Sequence, residues 1–260
     1  MIYDCIMFNG EADLFSIRYE ILKNFVDEFV VLEFNETFSG NPKPFYFEKE
    51  EFIKWPKVKY FKFTKEYEKY LELAESSPNT KGASHWKREF AMKEMLKDCL
   101  THLKDDDIVF IGDCDEIWNP EFLQYFEPVS KWGIKIPLYV YTYYLNNKSS
   151  EVFWGNLVSR YGNIKNQILN HLRSDSNKPV LRDNSILGWH FTSLKDRLER
   201  KLKDSYTEES YATPAVLDSL KTNIENNRDF LGRDFTYTTD ESDWPPWLKE
   251  NKEKYLHLLK

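Results

Sequence analysis

Three carboxylates fall within four positions of the stretch "GDCDE": Asp113, Asp115 and Glu116, directly after the apolar run 108–111 and Gly112. Like charges packed so closely resist ionising together unless a cation sits among them. Their oxygens suit a hard divalent ion such as Mn²⁺ or Mg²⁺. In a loop that follows a strand, Asp113 and Asp115 point to one side while Cys114 points to the core. Two carboxylates do not fill an octahedral shell, so phosphates and water complete it, the division of labour of a metal that escorts a nucleotide diphosphate. The plain alternative is an acid-rich turn that caps the next helix near Pro120 or spreads into water.

Other residues carry the same two readings. His190 in "GWHF" ends an apolar stretch, as a core histidine or as the further donor an incomplete metal shell needs. Lys201 and Lys203 either neutralise phosphate or sit on the surface. Arg88 is a phosphate clamp or an ordinary exposed residue, beside Glu89 and Lys93 at pairing distance along a helix. The 35–43 loop, with Gly40 and Lys43, cradles an anion or turns the chain. Trp154, Tyr143 and Tyr144 form an acceptor platform or belong to the core.

These side chains need elements to hold them. Residues 2–8 read as a buried strand, and Leu14, Ile17, Ile21, Leu22 and Phe25 have the spacing of a helix over 11–24. Strands are predicted at 28–34 and 57–63, separated by the turn-forming "NETFSGNPKPFYF". Residues 66–82 are polar and interrupted, which predicts a mobile loop with a helical turn. Ser84 is expected to cap a helix over 85–103 that leads into the strand "DIVFI". This order predicts an α/β half with a mainly parallel sheet flanked by helices. Ligands of such sheets gather outside the carboxyl ends of the strands, where the acidic cluster lies. Further on come two longer strands joined by a turn at 146–150, a helix over 163–173, the strand "SILGWHF" and a helix over 194–204. The remainder reads as a charged helical extension with "DWPPWL" as a stiff connector. One continuous α/β domain is expected.

Composition narrows the function. The chain has 260 residues, 36 basic and 43 acidic, for a net charge of −7. That balance argues against nucleic acid as a partner. Aromatics make up 17%, with 16 Tyr and 8 Trp, which favours a carbohydrate or nucleotide ligand. Three scattered cysteines (Cys5, Cys99, Cys114) exclude a disulfide framework or a thiolate zinc site. No leader and no apolar run near ~20 residues is present, so a soluble, cytoplasmic protein is expected.

Taken in order, "MFNGEADLFSIRYEIL", "VVLEFNETFSGNPKPFYF", "HWKREF", "DDDIVFIGDCDEIWNPE" and "GWHF" with a following "KL" resemble glycosyltransferase family 17, whose named activity is β-1,4-mannosyl-glycoprotein β-1,4-N-acetylglucosaminyltransferase. The resemblance covers residues 1–205. It implies a GT-A-like domain, with a nucleotide-sugar half over about 1–117 and an acceptor half over 118–205, followed by a helical extension at 206–260 packed on the domain. It also implies a metal-dependent inverting transfer from UDP-N-acetylglucosamine, or another UDP-hexose, to a glycan acceptor. Asp113 and Asp115 match the family's DxD aspartates, and His190 its late histidine, which completes the metal shell in many GT-A enzymes. Lys201 matches a lysine that meets the diphosphate, and Arg88 and Glu89 match the "W.RE" motif. Glu11, Arg18 and Glu33 match charged positions where GT-A folds bind uridine and ribose. Inversion requires a carboxylate to take the acceptor proton. Glu116, Glu151 and Asp183 are the candidates, and the choice falls on Glu116 because it lies nearest the metal turn, with a strand-end salt bridge as its alternative role.

The chain departs from the family at Cys114, at Trp118 where proline is common, and at Tyr206 where a histidine is usual. The last departure puts acceptor identity in doubt. Animal members carry a membrane anchor, so a bacterial or viral surface glycan is the expected acceptor here. Two other classes stay open. A nucleotidyltransferase would carry a basic Gly-rich loop after the first strand, where this chain has "FNGEADLF". A non-catalytic glycan-binding protein would not hydrolyse a UDP-sugar.

Overall fold

The computed structural model describes residues 1–80, 82–121, 133–174, 186–206 and 211–260. Asp183 and the "TEE" of "SYTEE" lie outside them.

Strand β1 (Ile2–Met7) is buried over its four central residues, as a strand of a sheet covered on both faces should be. Its alternate residues enter different cores. Ile6 joins Phe15 and Ile17 of helix α1 (Ala12–Leu22), whereas Tyr3 and Cys5 meet Met92 and Leu96 on the opposite face. β2 (Glu28–Phe34) pairs parallel with β1, and β3 (Val58–Phe63) pairs parallel with β2. Residues 66–80 are more helical than expected, with 3₁₀ turns at Glu66–Tyr70 and Pro78–Thr80 around α2 (Leu71–Glu75). Buried Tyr67 and Ala74 anchor them, a sparse pattern that the polar residues mask.

The single helix expected over 85–103 is two, α3 (Ser84–Glu94) and α4 (Leu96–Cys99). The amide of Met95 bonds Met92 O and that of Asp98 bonds Met95 O, the tighter spacing of a 3₁₀ turn, and the helix breaks there. Ser84 is the first helical residue and not the cap, a position held by Ala83 without a side-chain bond. β4 (Ile108–Asp113) then pairs parallel with β1 on the side away from β2. The parallel order β3-β2-β1-β4 reverses its direction of growth at β1. Loops leaving such a switch point diverge and open a crevice beyond the strand ends. Asp113 ends β4 on that crevice.

The other half of the sheet corrects the expectation of a mainly parallel arrangement. It contains β5 (Glu116–Trp118), β6 (Ile134–Thr142), β7 (Asn147–Arg160) and β8 (Gly188–Thr192). β7 runs antiparallel to both β4 and β6, while β8 is parallel to β6 and antiparallel to β5. The nine-stranded sheet is therefore mixed. The cause is local, since a short connection between β6 and β7 can only return the chain antiparallel. That turn falls ahead of the predicted 146–150, with Tyr143 at φ 70. Asn147, Lys148 and Ser149 stay in the strand because β9 (Tyr237–Thr239) pairs with them.

Short helices α5 (Tyr161–Ile164), α6 (Leu169–Ser174) and α7 (Leu198–Ser205) flank the second half. The C-terminal segment is not purely helical. It contains α8 (Pro214–Glu225), capped by Thr213 with Pro214 at its first position, then β9 and α9 (Pro246–Glu250). "DWPPWL" is core and not a connector: Trp244 and Leu248 are buried, and Trp244 Nε1 donates to Leu145 O at 2.8 Å. Among the described residues no helix is long and apolar enough to cross a membrane.

Candidate active site

Asp4 is the polar exception inside β1, fully buried. Arg18 reaches it from α1 through Nε at 2.6 Å and Nη2 at 2.7 Å, a bidentate fork that satisfies both charges. The remaining Nη1 donates to the carbonyl oxygens of Asp113 at 3.1 Å and Glu116 at 2.5 Å. Trp118 Nε1 donates to Asp4 at 2.9 Å, and its ring stacks on Phe110 with centroids 3.9 Å apart. Arg18, matched by resemblance to a nucleoside-binding position, thus lies beneath the acidic turn and fixes its backbone. Trp118, where the family commonly has proline, supplies the same ion pair with a further donor.

On this platform the acidic side chains fan out toward cations from four elements. Asp113 faces Lys93 of α3 at 3.3 Å and Arg173 of α6 at 3.2 Å. Asp115, in the two-residue turn between β4 and β5, faces Lys201 of α7 at 2.8 Å and His190 of β8 at 3.5 Å. β5 pairs with β8 so that Glu116 stands opposite His190, which is how a histidine distant in sequence arrives. Cys114 turns into the core. Burial works to raise both aspartyl groups, but Arg173 and Lys93 on Asp113, and Lys201 and His190 on Asp115, hold each well below the usual carboxylate range. Burial pulls the His190 imidazole down, and Asp115 more than reverses this, leaving it above the ordinary histidine value.

Glu116 is 2% exposed, accepts from the Asn156 amide at 2.9 Å and lies 3.5 Å from Arg173. Two glycines make its room. A Cβ at Gly155 would stand 2.9 Å from the Glu116 carboxyl carbon, and one at Gly112 would stand 2.9 Å from its Oε2 and 2.2 Å from Asn156 Oδ1. Gly112, which breaks the apolar run in sequence, is therefore required by packing. Gly155→Ala is expected to cost about 1–3 kcal/mol by overpacking, read as a lower urea midpoint at unchanged m-value.

His190 packs against Phe153 with ring centroids 4.4 Å apart, and its Nδ1 is buried without a hydrogen-bond partner among the described residues. No three His, Cys, Asp or Glu side chains among the described residues are arranged to hold a cation by themselves.

The crevice is a cleft of about 430 Å³ where, of the residues singled out from sequence, Glu11, Asp113, Asp115, Glu116, His190 and Lys201 meet, together with Lys43, Glu89, Glu151 and Tyr206. Glu11 accepts from the Asn9 amide at 2.6 Å and faces Arg197 at 3.6 Å. Glu33 and Arg88 do not line the cleft. Glu33 is fully buried and accepts from Lys43 Nζ, the Tyr46 and Phe47 amides and Tyr60 Oη, at 2.8–3.0 Å. Arg88 pairs with Glu36 at 3.0 Å and donates to Phe38 O, and its guanidinium abuts Gly40 at φ +91. Both act on the cleft at one remove, by fixing the 35–43 loop that presents Glu36, Phe38 and Lys43 to it.

Of the aromatic residues, Tyr143 is core, Tyr144 is half-buried beside Lys195, and Trp154 lines an adjoining recess of about 250 Å³. Tyr206 lines the main cleft between Trp86 and Tyr211, at centroid distances of 5.5 and 5.0 Å. Arg173 and Lys93 carry much of the site's charge balance and were not singled out from sequence for it. The only signal was the carboxylate cluster itself, which demanded cations without saying where in the chain they lie. Phe230, Leu231 and Arg233 of the C-terminal segment also line the cleft, where the sequence pointed to a packed extension alone.

No curated protein matches the chain. The model of glycosyltransferase family 17 matches residues 1–206, which take in the acidic turn, His190 and Lys201. By that match over most of its length, and with those residues gathered at one crevice, the chain belongs to glycosyltransferase family 17.

Proposed function

We propose that the protein transfers a sugar, N-acetylglucosamine by its family resemblance, from a UDP-sugar to a glycan hydroxyl with inversion, on a GT-A-like fold. The observation that carries this is the meeting of Asp113, Asp115, His190 and Lys201 at the carboxyl ends of the parallel strands. The donor chemistry suits Mn²⁺ or Mg²⁺: Asp113 and Asp115 offer hard oxygens, and His190 Nε2 lies 3.5 Å from Asp115. Asp113 and Asp115 would contribute ligands, and because no three His, Cys, Asp or Glu side chains among the described residues are arranged to hold an ion by themselves, phosphate oxygens and water would have to supply most of the shell. When bound, the ion supplies positive charge against the leaving diphosphate.

The chain's own groups do the rest. Lys201 is kept cationic by Asp115, which outweighs burial, and it stands where a phosphate oxygen can replace one of its contacts. Arg197 adds charge on the same side of the cleft. Groups fixed in place before the reaction need no reorganisation as charge develops on the leaving group. The 35–43 loop, clamped by Glu33 and Arg88, presents Lys43 and Phe38 at the nucleotide side. Glu151 and Phe153, from the acceptor half, close the cleft from the other side.

Calorimetric titration with UDP, and with UDP-N-acetylglucosamine, UDP-glucose and UDP-galactose, tests the reading. UDP is expected to bind with Mn²⁺ and to lose at least about tenfold in affinity in EDTA, the range over which metal-site contacts act. Equal binding in EDTA would sink the metal assignment. Binding without release of UDP from any donor would favour a non-catalytic glycan-binding protein.

A further inference from the structure

An inverting transfer needs a carboxylate free to take the acceptor's proton, and we infer that this general base is Glu151 of β7, an assignment that rests on the transfer reading above. The other cleft carboxylates are committed. Asp113, Asp115 and Glu116 are held by Lys93, Arg173, Lys201, His190 and the Asn156 amide. Glu89 pairs with Lys93 at 2.7 Å and Glu36 with Arg88 at 3.0 Å. Glu11 faces Arg197 at 3.6 Å, and Asp204 faces Arg200 at 3.1 Å. Glu151 lines the same cleft, and among the described residues its carboxylate has no ion pair and no hydrogen bond; its backbone amide donates to Ser149 Oγ.

Its placement suits the task. Residues 151, 153 and 155 alternate onto one face of β7. Gly155 backs onto the Glu116 carboxyl, and Phe153 packs on His190, which faces Asp115. Glu151 is the next residue along that face, on the acceptor side of the metal-binding turn. Arg233 lines the cleft as well, but Asp229 holds its Nε and Nη2 at 3.0 and 2.7 Å. It contributes field without capturing the base.

In the step, the acceptor O–H proton passes to a Glu151 carboxylate oxygen as the acceptor oxygen bonds to C1 of the donor sugar. The bond from C1 to the β-phosphate oxygen breaks, and its electron pair leaves with UDP. One bond to C1 forms and one breaks, and the proton on Glu151 returns to solvent.

The test is UDP release by the full chain with Mn²⁺ and the three UDP-hexoses, with water and with a set of p-nitrophenyl glycosides as acceptors, alongside UDP calorimetry. Glu151→Gln keeps the size of the side chain and cannot take the proton. It is expected to bind UDP within about twofold of wild type and to release it at least ~100-fold more slowly, the lower range of a general-base contribution. Turnover by Glu151→Gln at the wild-type rate overturns the assignment and leaves the transferase reading standing. Loss of UDP binding in this variant also overturns it, because a base acts after the donor is bound. A wild-type protein that releases no UDP from any donor removes the transferase reading itself.

Discussion

Asp115→Ala should abolish metal-dependent UDP binding and lower turnover by about 10³, the upper range for loss of one charge-stabilising group. Among the described residues Asp115 is the one acid in contact with both Lys201 and His190. Its removal takes away a proposed metal ligand and leaves two cationic groups facing each other. The protein should stay folded, because Lys201 is 39% exposed and can swing into water. Circular dichroism checks that, and calorimetry with Mn²⁺ and UDP reads the effect. Undiminished binding would show that "DCDE" is not the diphosphate clamp.

The same variant has a pH signature. His190 has its pKa raised in the folded protein, so its pairing with Asp115 contributes stability that is fully present below the unfolded value and is lost as pH rises through the folded one. The difference in melting temperature between wild type and Asp115→Ala, measured without metal, should therefore be larger at about pH 6 than at about pH 8. A difference that grows with pH would contradict the contact.

Arg18→Leu should produce the largest loss of stability, about 3–5 kcal/mol, because it strands the fully buried Asp4 carboxylate. In a chain of this size that corresponds to roughly 10 °C in melting temperature. The carbonyls of Asp113 and Glu116 lose a donor at the same time, so catalytic loss should accompany instability even in protein that remains folded. Arg18→Lys should rescue little, since an ammonium cannot grip both Asp4 oxygens and two carbonyls in one plane. The double variant Arg18→Leu, Asp4→Leu should recover part of the stability and none of the activity. Chemical denaturation of the three variants measures this, and a loss for Arg18→Leu below ~1 kcal/mol would mean that the pair does not organise the turn.

Much of the parallel half was legible, because β1, β2 and β4 are rich in apolar and β-branched residues and the strand-end position of the acids follows from their order. The mixed half was not. The direction of β7 depends on a turn whose left-handed residue is Tyr143, which carries no glycine or asparagine signal, and its polar start is a strand only because β9 arrives from much later in the chain. β5 and β9 have three residues each, too few for periodicity to register. Within the site, residue type identified the acids and His190, while partnership decided the rest. Glu33 and Arg88 have the chemistry of ligand contacts, but the structure spends them on a loop. Glu116 is adjacent to the acidic aspartates in sequence, yet two glycines and Asn156 enclose it. Such pairings are set by three-dimensional neighbours and leave no trace in local spacing.

The lining that Phe230, Leu231 and Arg233 give the cleft comes from beyond residue 206, where the family match ends. The acidic turn and part of the wall that faces it therefore come from separate stretches of sequence. A change confined to those three residues would reshape the cleft wall without touching the acidic turn, its buried arginine or its lysine.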